Sequence, residues 1–206
     1  MIVLFVIDRD ETAAFKRKRV IRMNDVLENN NMKSTNESRT AKATVVNPTH
    51  TNIHGTLFGG QLMAFIDDVA LISATRHSRR PCVTASTDSV DFLHPIHQGD
   101  IVCLESMVTW THKTSMEVFV KAIAEKMFTG ERHVCATALL TFVALDEEGN
   151  PVEVPGVYPE TEEEKFLNET AAERKELRKG RKGESRKLAR EFGTPKPWDA
   201  AQFTGV

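Results

Sequence analysis

Two adjacent carboxylates, Asp67 and Asp68, stand in the middle of an apolar run over residues 55–78. At helical spacing they fall on different faces. Asp68 shares a mildly polar stripe with Gln61, Ala64 and Thr75, whereas Asp67 shares an apolar one with Gly60, Met63, Ala70, Leu71 and Ala74. Asp68 reads as a solvated or hydrogen-bonded surface residue. Asp67 reads either as a buried structural carboxylate held by backbone donors or as a working base. Burying a bare carboxylate costs several kcal/mol, and burial would make it a stronger base near neutral pH.

The segment ahead of this run adds donors. Thr49-His50-Thr51-Asn52-Ile53-His54-Gly55 is polar and ends in glycine, and Gly59 and Gly60 follow in the first helical turn. Free N–H groups at a helix start can bind an oxyanion, and glycine lets a substrate or another backbone come close. Asn52 could hold a water or a carbonyl, or could serve only as a turn or cap residue. His54 is the histidine placed beside this candidate chemistry. No GxSxG elbow, HExxH pair or phosphate-binding P-loop is present, and no metal is expected. Cys82, Cys103 and Cys135 lie in strand patterns and read as core residues.

The elements that must position these groups are legible. Residues 41–46 form a short strand that Asn47-Pro48 ends, because proline lacks a donor. The run over 55–78 is one long helix, apolar nearly all round and so buried with the sheet wrapped against it. Strand patterns follow at 82–92, 100–111, 115–124 and 133–145, joined by short turns. Along 100–111, Val102, Leu104, Ser106, Val108 and Trp110 share one face. The order strand, helix, four antiparallel strands defines an α+β layer pair. Residues 1–38 read as a flexible N-terminal extension, 39–155 as the folded domain, and 156–206 as a charged C-terminal helix and tail. Thr161 with Glu164 is a capping-box signature for that helix. Its apolar residues, Phe166, Leu167, Ala171 and Leu177, make only a thin stripe.

Composition narrows the classes. Lys plus Arg is 27 against 29 for Asp plus Glu, a net charge of -2 that argues against a general nucleic-acid binder. No apolar run reaches the roughly 18 residues of a membrane helix, and Met1–Ile7 has acids after it rather than bases before it. The expected location is cytoplasmic, with no membrane partner.

Residues 52–67, Asn-Ile-His-Gly-Thr-Leu-Phe-Gly-Gly-Gln-Leu-Met-Ala-Phe-Ile-Asp, resemble the helix signature of the hotdog-fold acyl-CoA thioesterases, the acyl-CoA hydrolase branch. Residues 83–92, Gly99-Asp100, residues 113–118, 138–145, and the segment from Val154-Pro155 to Lys175 match in the same order, so the resemblance spans about 40–180. It implies a hotdog fold, an antiparallel sheet wrapped around a long central helix, with a C-terminal helical extension. It implies a homodimer with one continuous sheet, assembled further as a trimer of dimers, and two sites per dimer. By motif position the site pairs Asn52 of one subunit with Asp67 of the other. Fatty acyl-CoA would be hydrolysed to free fatty acid and CoA, with Asp67 as general base or nucleophile and no cofactor beyond the CoA of the substrate. His54, Gly55, Gly59 and Gly60 would position the thioester and its oxyanion. The resemblance places CoA contacts at Thr84, Ala85, Ser86, Thr114, Ser115 and Met116, with Arg174 or Lys175 meeting a phosphate.

Three other readings remain. A hotdog hydratase sets a histidine beside its acid, and His54 is available. A non-catalytic acyl-CoA-binding or sensing module would not need both Asn52 and Asp67. Nucleic-acid binding through the basic stretches at 16–19 and 174–190 is opposed by interleaved glutamates and missing stacking aromatics.

Overall fold

The computed structural model describes residues 31–192. Its larger unit ends at Glu169. The main sheet has five antiparallel strands in the order β2-β4-β5-β6-β3. These are β2 (Thr40–Val45), β3 (Cys82–Phe92), β4 (Ile101–Thr111), β5 (Ser115–Glu125) and β6 (Arg132–Ala144). The central helix α2 (Gly59–Ser78) crosses one face. Leu62, Ile66, Val69, Ala70 and Ala74 of the helix pack on Val102, Leu104, Val118, Val120, Leu140 and Phe142, all buried. Ser106 is buried among them at almost no cost. Its hydroxyl donates to the Val69 carbonyl at 2.9 Å and lies 2.6 Å from the Ser73 hydroxyl.

The expected strand and helix order is present, with several corrections. The helix begins at Gly59, not Gly55, because Thr51 bridges Leu57 and Thr56 bridges His97, which holds residues 51–58 as a loop. On β4 the register shifts between Val108 and Trp110. Thr109 is the extra residue and is buried, so Trp110 leaves the face that Val102, Leu104, Ser106 and Val108 share. The helix is also not buried all round: Met63, Leu71 and Ile72 are exposed, as is Phe58 just before it.

The expected extension to residue 38 is folded from Met32 onward. Strand β1 (Met32–Ser34) pairs in parallel with β7 (Gly156–Tyr158), so residues 156–158 belong to the domain too. A short helix, α1 (Thr35–Ser38), closes with a reciprocal box between Ser34 and Glu37. Ser38 is fully buried and its hydroxyl accepts from the Val108 N–H at 2.9 Å. The rest of the expected extension, 1–30, and the expected tail, 193–206, lie outside the described residues.

The capping box at Thr161 forms as expected. Thr161 N–H donates to Glu164 Oε2 at 3.1 Å, and Glu164 N–H donates to the Thr161 hydroxyl at 3.3 Å. The helix it starts, α3 (Glu162–Glu169), is short and stops there. Buried Glu164 also takes the Arg39 guanidinium at 2.6 Å, and Asn168 Nδ2 donates to the Thr109 carbonyl at 2.7 Å, which ties α3 to the sheet. A separate helix, α4 (Ala171–Phe192), forms the second unit. The single C-terminal helix of the sequence reading is therefore two.

Candidate active site

Asp67 sits near the middle of α2, and among the described residues its side chain has one hydrogen-bond partner: the Thr84 hydroxyl donates to its Oδ1 at 2.7 Å. A bulge makes this bond. Thr84 pairs with Phe142 and Ser86 with Thr141, so Ala85 is an extra residue on β3. Phe142 faces the helix, and Thr84 shares its face. Ser86 is turned to the opposite face, where its hydroxyl donates to Asp88 at 2.6 Å and Thr141 donates to the other Asp88 oxygen at 2.7 Å. Thr84 and Ser86 therefore face opposite sides of the sheet, with Ala85 between them on the edge strand.

Asp67 is half-buried within one chain, not fully buried as expected. Its apolar stripe is divided: Ala70 and Ala74 are buried against the sheet, whereas Met63 and Leu71, one turn to either side of Asp67, are exposed. Asp68, on its own face, is exposed and ion-paired with Lys42, which also lies 5.4 Å from the Phe65 ring centre. That pairing accounts for Asp68 as a surface residue.

Asn52 closes the loop ahead of the helix. Its Oδ1 accepts from the His54 N–H at 2.9 Å and the Thr56 N–H at 3.3 Å, and its Nδ2 donates to the Thr56 hydroxyl at 3.0 Å. Two backbone donors fix which end of the amide is oxygen. The remaining capacity of Asn52 is thus a second Nδ2 hydrogen, a donor suited to a carbonyl or a water oxygen. Gly55 holds φ at 70° in this loop, a conformation that a side chain would strain. His54 and Gly55 are exposed. Asn52 and Asp67 do not bond each other within the chain.

The first α2 bond runs from the Leu62 N–H to the Phe58 carbonyl at 3.0 Å. The N–H groups of Gly59, Gly60 and Gln61 have no acceptor among the described residues. A Cβ at Gly60 would come within 2.5 Å of the Phe58 ring, so this turn is closed to larger residues unless the ring moves. Beside it opens a cleft of about 320 Å³ lined by Leu57, Gly59, Leu62, Phe92, Leu93 and Ile96 among others. Free N–H donors beside an apolar cleft suit a polarised carbonyl with an apolar chain attached.

The other expected contacts divide. Thr114 and Ser115 are half-buried at the β4–β5 turn, where the Thr114 carbonyl accepts the Ala144 N–H at 3.1 Å. Met116 is fully buried in the core and presents nothing to a ligand. Arg174 and Lys175 lie near the start of α4, where Arg174 Nη1 donates to the Thr170 hydroxyl at 2.5 Å. Burial pushes the Cys82 and Cys135 thiols up, so neither is an activated nucleophile. Among the described residues, no cluster of His, Cys, Asp or Glu could hold a metal, and no helix is long and apolar enough to cross a membrane.

A five-stranded antiparallel sheet packed on one long central helix is the arrangement of a hotdog domain. The model of the thioesterase superfamily matches residues 54–130. YkhA of Bacillus subtilis, described as an uncharacterized acyl-CoA thioester hydrolase, is 60% identical over 162 residues, covering 79% of this chain and 94% of YkhA. An acyl-CoA hydrolase from Staphylococcus aureus, solved with butyryl coenzyme A, coenzyme A and coenzyme A disulfide, is 47% identical. It superposes with a TM-score of 0.76 over 79% of this chain and 99% of that one. Alanine variants of an Asp, an Asn and a Thr of that hydrolase have also been solved. A hexameric acyl-CoA thioesterase is 47% identical with a TM-score of 0.72, covering 73% of this chain and 96% of that one. The chain belongs to the acyl-CoA thioester hydrolases of the hotdog fold.

Proposed function

We propose that the chain hydrolyses fatty acyl-CoA to free fatty acid and CoA, with Asp67 as general base or nucleophile and Asn52 supplied by a partner subunit. One observation carries the reading: the Thr84 hydroxyl holds the Asp67 carboxylate on the exposed apolar side of the helix. The intervals between Asn52, Asp67 and Thr84 equal those between the Asn, Asp and Thr replaced in the Staphylococcus aureus variants.

The donor left on Asn52 would point the thioester carbonyl or the attacking water. The free N–H groups of Gly59 and Gly60 would take the developing oxyanion, helped by the positive helix end. His54 and Gly55 belong to the loop that sets Asn52. The cleft beside Gly59 would receive the acyl chain. If Asp67 deprotonates water, hydroxide adds to the carbonyl carbon, the C–S bond breaks, and the proton passes to the CoA thiolate. If Asp67 attacks directly, a mixed anhydride forms as CoA leaves, and water then cleaves it. Neither route uses a metal or redox cofactor. Thr114 and Ser115 would flank the pantetheine arm, and Arg174 or Lys175 a phosphate.

The reading requires two chains. β3 is an edge strand with one free side, and Val83 upon it is 46% exposed. An open edge beside an exposed apolar helix face suits a second copy that continues the sheet and covers Met63 and Leu71. A trimer of such dimers agrees with the hexameric relative. A cytoplasmic location fits this substrate.

The test is CoA release from a panel of short to long acyl-CoAs, with wild type beside Asp67→Asn. The expected result is turnover by wild type and a loss of at least about a hundredfold in the folded variant. Wild type that binds acyl-CoA without releasing thiol would sink the hydrolase reading. A fully active Asp67→Asn would sink the residue assignment alone.

A further inference from the structure

Arg79 ends the central helix in the left-handed region, with φ 55° and ψ 33°, and its N–H donates to the Thr75 carbonyl at 2.8 Å. Glycine or asparagine is the usual residue there, because a Cβ is strained at that φ. The favourable interaction of cations with a helix C-terminus accounts for Arg76 and for some positive charge here. It does not account for an arginine at the one position of the turn where arginine is strained. Such an outlier points toward a use for the side chain.

Arg79 and Arg80 are both exposed, and neither side chain has an ion pair or hydrogen bond among the described residues. Arg76, by contrast, is engaged: its guanidinium donates to the Arg39 carbonyl at 2.7 Å and the Thr40 hydroxyl at 3.1 Å. The acidic turn at Asp146, Glu147 and Glu148 adjoins this corner, since the Leu145 N–H donates to the Pro81 carbonyl at 2.8 Å. None of its carboxylates pairs with either arginine, and Asp146 is turned into its own loop by the Asn150 N–H.

The topology sets the two arginines where they are useful. Pro81 follows, and β3 starts at Cys82, paired with Ala144. The Ala144 N–H donates to the Thr114 carbonyl, so β3 begins two strands from the Thr114–Ser115 turn, about 10 Å at ordinary strand spacing. Lys113 on that turn adds a third cation, held only by an exposed pairing with Glu153 at 3.6 Å. Thr84, bonded to Asp67, lies further along the strand, about 13 Å from Arg80 at the rise of an extended chain. An extended pantetheine arm is long enough to cover that distance.

We propose that Arg79 and Arg80 form the receiving site for the phosphate groups of the coenzyme A half of the substrate. The proposal rests on the hydrolase reading above. Guanidinium forks match phosphate oxygens in pairs.

The test compares wild type with Arg79→Gly, Arg80→Gln and the double variant. Three quantities are read: kinetics with an acyl-CoA, kinetics with the same acyl group on pantetheine, and calorimetric titration with free CoA. The expected result for the double variant is a KM for acyl-CoA and a Kd for CoA each raised about tenfold, with kcat within about twofold. Acyl-pantetheine kinetics should be unchanged, because that substrate carries no phosphate. Arg79→Gly should melt no lower than wild type, since glycine relieves the turn, which separates binding from folding. Unchanged CoA affinity in the double variant would overturn the proposal, as would an equal loss with acyl-pantetheine. If wild type cleaves neither thioester, the hydrolase reading falls, and the CoA titration still decides the arginines.

Discussion

The Thr84 hydroxyl and the Asp67 carboxylate, 2.7 Å apart, join the bulged edge strand to the middle of the central helix. The bond leaves the second Asp67 oxygen without a partner among the described residues. Thr84→Val keeps the shape and removes the donor. The expected outcome is a kcat about tenfold lower with KM little changed, because the carboxylate loses its orientation rather than its charge. A role for Thr84 in holding CoA predicts the opposite split, a raised KM with kcat intact. Steady-state kinetics on one good acyl-CoA decides between them.

The sequence made Asp67 a candidate through face geometry alone, since Asp68 fell on the polar stripe, where it is exposed and paired with Lys42. What it could not give was Thr84 as partner. That contact depends on Ala85 being an extra residue, and a bulge leaves no mark on a strand pattern read one chain at a time. The same limit applies to Trp110, whose face changes because Thr109 is bulged. The half-burial of Asp67 was hidden for a different reason. An apolar stripe reads as buried whether the protomer or a second subunit covers it, and Met63 and Leu71 are left bare within one chain. Residues 32–38 look like a polar linker, yet a strand pairing with distant residues 156–158 orders them.

Glu164 makes a pH-dependent contribution to stability. Burial disfavours its charge and is the largest single influence. The N–H groups of Glu160 and Thr161 and the Arg39 guanidinium together outweigh it, and hold the carboxyl below the ordinary glutamate value. A depressed acid stabilises the fold above its unfolded value of 4.5, and the contribution is lost as pH falls through the folded one. Glu164→Gln should cost about 1.5–3 kcal/mol in urea unfolding at neutral pH. The gap between variant and wild type should close as the solution is acidified below the ordinary glutamate value. A gap that stays constant with pH would show that packing, not charge, is lost.

His77 titrates against folding in a separate window. It is fully buried at the end of the central helix, with Nε2 3.0 Å from the Pro155 carbonyl and Nδ1 without a partner. Desolvation, aided by nearby Lys33, holds its pKa below the ordinary 6.5, against the opposing pull of the Pro155 carbonyl and Glu37. The unfolded chain therefore binds the proton first. Stability is full above 6.5 and falls as pH drops from there toward the folded value. Denaturation midpoints of wild type should decline as pH is lowered below 6.5, and His77→Gln, which keeps a donor toward Pro155, should be flatter there. A wild-type midpoint that holds steady there would contradict the assignment.

Asn52 and Asp67 do not bond within one chain, and that makes the two-subunit site testable without a structure of the dimer. Asn52→Ala and Asp67→Asn should each be inactive alone. In a mixed dimer of the two, one site combines both altered residues and the other combines the intact Asn52 of one chain with the intact Asp67 of the other. Random pairing makes half of the dimers mixed, each with one working site of two, so co-expression should restore about a quarter of wild-type turnover. Isolating the mixed species with two affinity tags should bring it to about half. A site completed within a single chain gives a different result, because each chain then carries one lesion and no pairing repairs it. Recovery therefore locates Asn52 in trans, and its absence in mixed dimers of confirmed composition would put the two residues in the same subunit.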